Sequence, residues 1–135
     1  MVENNVGRWA DEGVLCWLAT SSSDGEPNVS HKEVFSIYGG DSIIIANIAS
    51  PRSARNIREN PRACVSFINI FTQKGYQLSG AASCLCKDDQ EFALIEPELL
   101  RITEGRFPFK SAFRALSATH LTLPTLSRLH RHRSP

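Results

Sequence analysis

Ser50-Pro51-Arg52-Ser53 is the stretch of this sequence best equipped to hold an anion. Serine is a good helix N-cap and proline a good first helical residue, so the run reads as a helix start. The first amide N–H groups of a helix have no partner inside it, and they stand at the positive end of its dipole. Arg52 and Ser53 fall in that first turn, with Arg55 one turn along. A guanidinium donates two parallel hydrogen bonds to a phosphate, and a first-turn hydroxyl adds a third. The same residues also make an ordinary capped surface helix, so spacing alone leaves both readings open. Lys32 and Glu33 read either as a site pair or as a solvated pair on a strand face. His31 reads as a strand-end histidine, Asn47 as a strand end, and Trp17 and Tyr76 as core or interface aromatics. No acid, base or nucleophile stands out as catalytic, which argues against hydrolysis and agrees with hydride or electron transfer.

The elements that must position these residues are mostly strands. Asn4 to Glu12 reads as a short helix, and Val14 to Thr20 as a buried strand. Asp24-Gly25 supplies the positive φ of a hairpin turn. One strand over Asn28 to Tyr38 follows, then Ser42 to Ile48, rich in β-branched residues. The polar stretch Pro51 to Asn60, with Ala54 and Ile57 three apart, is a short helix that Pro61 ends. Ala63 to Phe71 and Tyr76 to Cys86 are strands joined by a turn at Lys74-Gly75, with Gly80 marking a bulge or close approach. Lys87 to Gly105 is helical, with Phe92, Ile95 and Leu99 on one face and Pro97 as a point of kinking or division. A last strand runs from about Phe107 to Ala115. Short strands joined by tight turns favour an antiparallel meander closing into a small barrel.

Composition narrows the class. The chain has 135 residues, 41% of them hydrophobic and 21% charged, which suits one globular domain. No apolar run approaches the ~20 residues that cross a bilayer. The polar, acid-bearing start Met1 to Asp11 does not read as a signal or transit peptide, so a cytoplasmic location with no membrane partner is expected. Cys16, Cys64, Cys84 and Cys86 lie in apolar or alternating stretches, where free cysteine behaves as a small hydrophobe. Cys84 and Cys86, two apart, share one face of a strand; the pair reads as half-buried thiols, with no metal site assigned. The net charge of +1 hides an asymmetry. Residues 1–105 hold 9 Lys and Arg against 14 Asp and Glu, whereas residues 106–135 hold 6 basic residues and no acid.

Four segments together carry a resemblance. Pro27-Asn28-Val29-Ser30-His31-Lys32-Glu33-Val34-Phe35 is followed by Ile45-Ala46-Asn47-Ile48-Ala49-Ser50-Pro51-Arg52-Ser53-Ala54-Arg55-Asn56-Ile57. Asn60-Pro61-Arg62-Ala63-Cys64-Val65-Ser66-Phe67 and Gln73-Lys74-Gly75-Tyr76-Gln77-Leu78-Ser79-Gly80 complete the set. In order and spacing, over roughly residues 13–110, the chain resembles the pyridoxamine 5′-phosphate oxidase-like family of split β-barrels that bind flavin mononucleotide (FMN). The resemblance implies a mainly β fold with short helices, a six-stranded antiparallel split barrel spanning 1–116. It also implies a homodimer with FMN in a groove between the subunits, and a small-molecule substrate or electron donor. The strand holding His31, Lys32, Glu33 and Val34 would run along the flavin ring, mostly through backbone groups. Ala46 and Asn47 would approach the ribityl-phosphate side, and Arg52 and Ser53 would take the phosphate. The family often has Arg-Lys where this chain has Arg52-Ser53, so one cationic contact becomes a hydroxyl unless Arg55 or Lys32 contributes. Lys74 and Tyr76 match a segment that reaches the partner's flavin.

The resemblance implies an FMN-dependent oxidoreductase. Full-length oxidases bind pyridoxamine phosphate through a further C-terminal segment without counterpart here, so that activity is not expected. A non-catalytic flavin sensor or carrier, or a barrel using haem or a deazaflavin, stands as the alternative. Residues 117–135, with Arg128-Leu129-His130-Arg131-His132-Arg133, depart from the family pattern. They read as an irregular basic tail, as a nucleic-acid arm (the less favoured reading), or as the product of a frame change near Ala115–Thr119.

Overall fold

The computed structural model describes residues 16–69, 74–106 and 108–116. The expected helix over Asn4 to Glu12 and the tail from Ser117 lie outside the described residues. Seven strands form one antiparallel, curled sheet: β1 (Cys16–Ser21), β2 (Pro27–Lys32), β3 (Phe35–Tyr38), β4 (Ser42–Asn47), β5 (Arg62–Asn69), β6 (Lys74–Cys86) and β7 (Ser111–Leu116). The order across the sheet is β2-β1-β5-β6-β7-β4-β3. Helix α1 (Pro51–Glu59) leads from β4 to β5, and α2 (Gln90–Thr103) from β6 to β7. The result is the split barrel that the sequence implied, with one strand more than expected.

The extra strand comes from a break at Glu33 and Val34. The single strand expected over Asn28 to Tyr38 divides there into β2 and β3, which become the two edges of the curled sheet. Before the break Asn28, Ser30 and Lys32 face inward, and after it Phe35 and Ile37 do, so the inward positions pass from even to odd and the chain cannot keep a simple period of two through this point.

Alternation sorts the rest. Leu18, Phe35, Ile43, Ile45, Val65, Phe67, Leu78 and Phe113 point into the barrel. Phe35 of one edge meets Phe67 of the opposite half at 5.3 Å between ring centroids, which draws the curl closed. Ile44, Ala46, Leu85 and Ala112 point the other way, onto Phe92, Ile95 and Leu99 of α2. Strand β4 is therefore apolar on both faces, as its run Ile43-Ile44-Ile45-Ala46 requires. Pro97 lies inside α2 without dividing it.

Two local expectations are corrected. Lys74 and Gly75 are not a turn: the β5–β6 register runs through Ile68↔Gly75 to Asn69↔Lys74, so they open β6. Gly80 marks no bulge, being paired with Ala63 in unbroken register. It stands just before the place where β6 leaves β5, at Ala81, and takes up β7, at Ala82. This thirteen-residue strand joins the two halves of the split barrel. Gly25, by contrast, adopts φ +87° in the β1–β2 turn, as Asp24-Gly25 implied.

Candidate cofactor site

Helix α1 plugs the barrel beside β1, β2 and β6. Its apolar residues Ala54 and Ile57 join the interior cluster, and Ser53 and Asn56 are buried with them. Pro61 stops it as expected, with Asn60 as the C-cap. The helix start is open. Ser50 is the N-cap residue, yet its side chain makes no capping bond, and no acidic residue stands in the first turn. The Ala54 N–H makes the first helical bond, to the Ser50 carbonyl at 3.1 Å. The Arg52 and Ser53 amides are left with no partner among the described residues, at the positive end of the helix.

Asn47 fixes this start in place. Its Oδ1 accepts from the Ser50 N–H at 3.1 Å, and its Nδ2 donates to Ser111 Oγ at 3.0 Å. It thereby ties the end of β4 to the beginning of both α1 and β7. Ala46 is buried, and its N–H donates to the Val34 carbonyl at 3.0 Å, joining β4 to the break between β2 and β3.

The face of β2 turned to the helix is polar. Asn28, Ser30 and Lys32 alternate along it, while Val29 and His31 point outward. Ser53 does not turn its hydroxyl outward: Oγ lies 3.4 Å from Asn28 Nδ2 and 3.3 Å from Ser30 Oγ. Lys32 is buried, and its ammonium donates to the hydroxyl of Ser50. It also lies 5.8 Å from the centre of the Phe113 ring. Burial pushes the Lys32 amine below its usual range, partly offset by the Cys16 thiol across the strand pair.

The structure thus brings Lys32, Ser53, Asn47 and exposed Arg52 to one helix start, with Ala46 and Val34 in the strand pairing behind it. Arg55 is exposed one turn along, and Glu33 is exposed in the break after β2. His31 lies on the outer face against Trp17, ring centroids 6.0 Å apart. Tyr76 is buried in the barrel, and the Lys74 backbone opens β6. Asn28 and Ser30 join the site in addition to the residues expected from the sequence. Their signal was the period of two linking Asn28, Ser30 and Lys32, three polar residues on one face of a strand. Among the described residues no three His, Cys, Asp or Glu side chains gather as a metal site. No described helix is long and apolar enough to cross a membrane.

The solved structures that superpose on this chain share its split barrel. HupZ of Group A Streptococcus does so with a TM-score of 0.76, over 94% of this chain and 96% of its own, at 15% identity. An FMN-binding protein from Syntrophomonas wolfei gives 0.71 over 92% and 86%, at 18% identity. HutZ, the heme storage protein from Vibrio cholerae, gives 0.69 over 92% and 95%, at 22% identity. At such identities the likeness establishes the fold. No curated protein matches the chain by sequence. The sequence pattern of the pyridoxamine 5′-phosphate oxidase family, however, matches residues 8–122. That match takes in every described strand and both helices, and the chain belongs to the pyridoxamine 5′-phosphate oxidase family.

Proposed function

We propose that the chain is an FMN-binding flavoprotein, an oxidoreductase acting on a small substrate, with the cofactor phosphate at the start of α1. The observation that carries this reading is the uncapped first turn: two amide N–H groups with no partner among the described residues, the exposed Arg52 in the same turn, and no acidic residue in it. A phosphate completes such a turn by accepting from the amides and from the guanidinium together. Bound FMN would supply the redox chemistry, and the protein would bind and orient it. The groove is proposed to lie between two copies of the chain, which work as a homodimer.

Titration of the purified protein with FMN, followed by quenching of flavin fluorescence, tests the reading. Arg52→Ala should loosen FMN by about 1–3 kcal/mol, the worth of a hydrogen bond to a charged group. An unchanged affinity would remove the phosphate from α1. Bleaching of the bound flavin by a nicotinamide donor would favour an enzyme over a carrier. A heme reading has one observation in its favour, the exposed imidazole of His31 in a fold shared with HutZ. Heme binding lost in His31→Ala, in a protein that takes up no FMN, would put that reading first.

A further inference from the structure

Ser53 brings no charge to the helix start, and its hydroxyl is turned onto Asn28 and Ser30. A phosphate dianion held by Arg52 and two amides would then keep part of its charge unanswered. The neighbouring strand carries the missing charge. Lys32 is 7% exposed, and its ammonium is bonded to the hydroxyl of the N-cap residue itself. Its other close partners are the face of Phe113 and the neutral thiol of Cys16. No carboxylate among the described residues forms an ion pair with it. A desolvated ammonium without a counter-charge burdens a fold. Nothing in the barrel requires a cation here, because a methionine fills the same volume without the charge.

We infer that Lys32, on the edge strand and not on the helix, is the second cation of the phosphate site and sets its preference for phosphorylated over unphosphorylated flavin. The inference rests on the flavin reading above and adds to it a specificity residue at this chain's own position. It also couples occupancy to stability: the empty protein carries a buried charge that the phosphate neutralises.

Lys32→Met separates this role from a structural one. Affinities for FMN and for riboflavin, which lacks the phosphate, are measured on the wild type and the variant, with thermal unfolding of both flavin-free proteins. The wild type should prefer FMN, and the variant should lose about 10- to 100-fold of that preference with riboflavin affinity unchanged. The flavin-free variant should melt at or above the wild-type temperature. Lys32→Arg should keep most of the preference, and Lys32→Gln gives the same readout as Met should Met not fold. A preference for FMN that survives neutralisation would overturn the inference, as would a flavin-free variant markedly less stable than the wild type. A wild type that binds neither flavin overturns the flavin reading itself, a distinct result.

Discussion

At the scale of single residues, the barrel holds two ionisable groups face to face whose protonation pulls stability in opposite directions. Cys16 pairs with Lys32 across β1 and β2. Burial raises the Cys16 thiol from its ordinary 9.0 to about 12, with the nearby ammonium opposing the shift. A group with a raised folded-state pKa contributes stability that is complete below its unfolded value and is lost as pH rises through the folded one. The thiol's contribution is therefore intact below pH 9 and should shrink by about 1.4 kcal/mol for each pH unit above it. Lys32 has the opposite sign. Its folded pKa is depressed, so the ammonium weighs on the fold at neutral pH, and that burden lifts as pH climbs toward 10.5. Urea unfolding between pH 8 and 11 should show Cys16→Ala gaining stability with pH and Lys32→Met losing it. Parallel curves for the two variants would contradict both assignments. The burial of Lys32 was not legible in the sequence. Asn28, Ser30 and Lys32 alternate as an exposed polar face does, and only the docking of α1 covers them. Arg52 and the open helix start were legible, because Ser-Pro-Arg-Ser is a local signal that needs no distant partner.

At the scale of elements, the two helices show what a pattern can and cannot reveal. The stripe Phe92, Ile95 and Leu99 follows the helical period and packs as that period dictates. Leu99 is fully buried, so Leu99→Ala should destabilise the protein by about 2–5 kcal/mol in chemical unfolding. Pro97 sits on the exposed side of the same helix, where it removes an N–H that would bond the carbonyl of Ala93. Pro97→Ala should restore that bond and raise stability by about 1–3 kcal/mol. A lower melting temperature in this variant would contradict this account of Pro97. Helix α1 carries a different lesson. Its buried Asn56 donates to Thr20 Oγ1 at 3.1 Å, while its Oδ1 has no partner among the described residues. The sequence shows Asn56 as one more polar residue of a polar helix; its contact spans 36 positions and arises only when α1 crosses β1. The division of β2 from β3 is hidden for a similar reason. It depends on the inward face passing from Asn28, Ser30 and Lys32 to Phe35 and Ile37, a change from even to odd positions that local propensity does not encode.

At the scale of the whole molecule, the curl leaves an apolar patch facing outward on β1 and β2. Trp17 and Val29 are 41% and 62% exposed on the outer face of β1 and β2, with His31 between them on the same side. The β1–β2 register sets Trp17 against His31 and Ala19 against Val29, so they form one continuous patch. The patch backs directly onto the strand whose inner face carries Asn28, Ser30 and Lys32. A second copy seated there would remove the indole and the valine from water and would stiffen β2, which is paired on one side alone. The proposed dimer thus links association to the geometry of the phosphate site through a single strand. Sedimentation at micromolar concentration should find two copies per particle. Val29→Glu places a charge at the most exposed apolar residue of the patch and should shift the protein toward monomer. If the groove is shared as proposed, FMN affinity should fall in step with dissociation, whereas secondary structure by circular dichroism should stay unchanged. If Val29→Glu yields a monomer that binds FMN as the wild type does, the cofactor belongs to one barrel and the shared groove is wrong. If the wild type itself sediments as a monomer, the outer face of β1 and β2 is not the dimer surface.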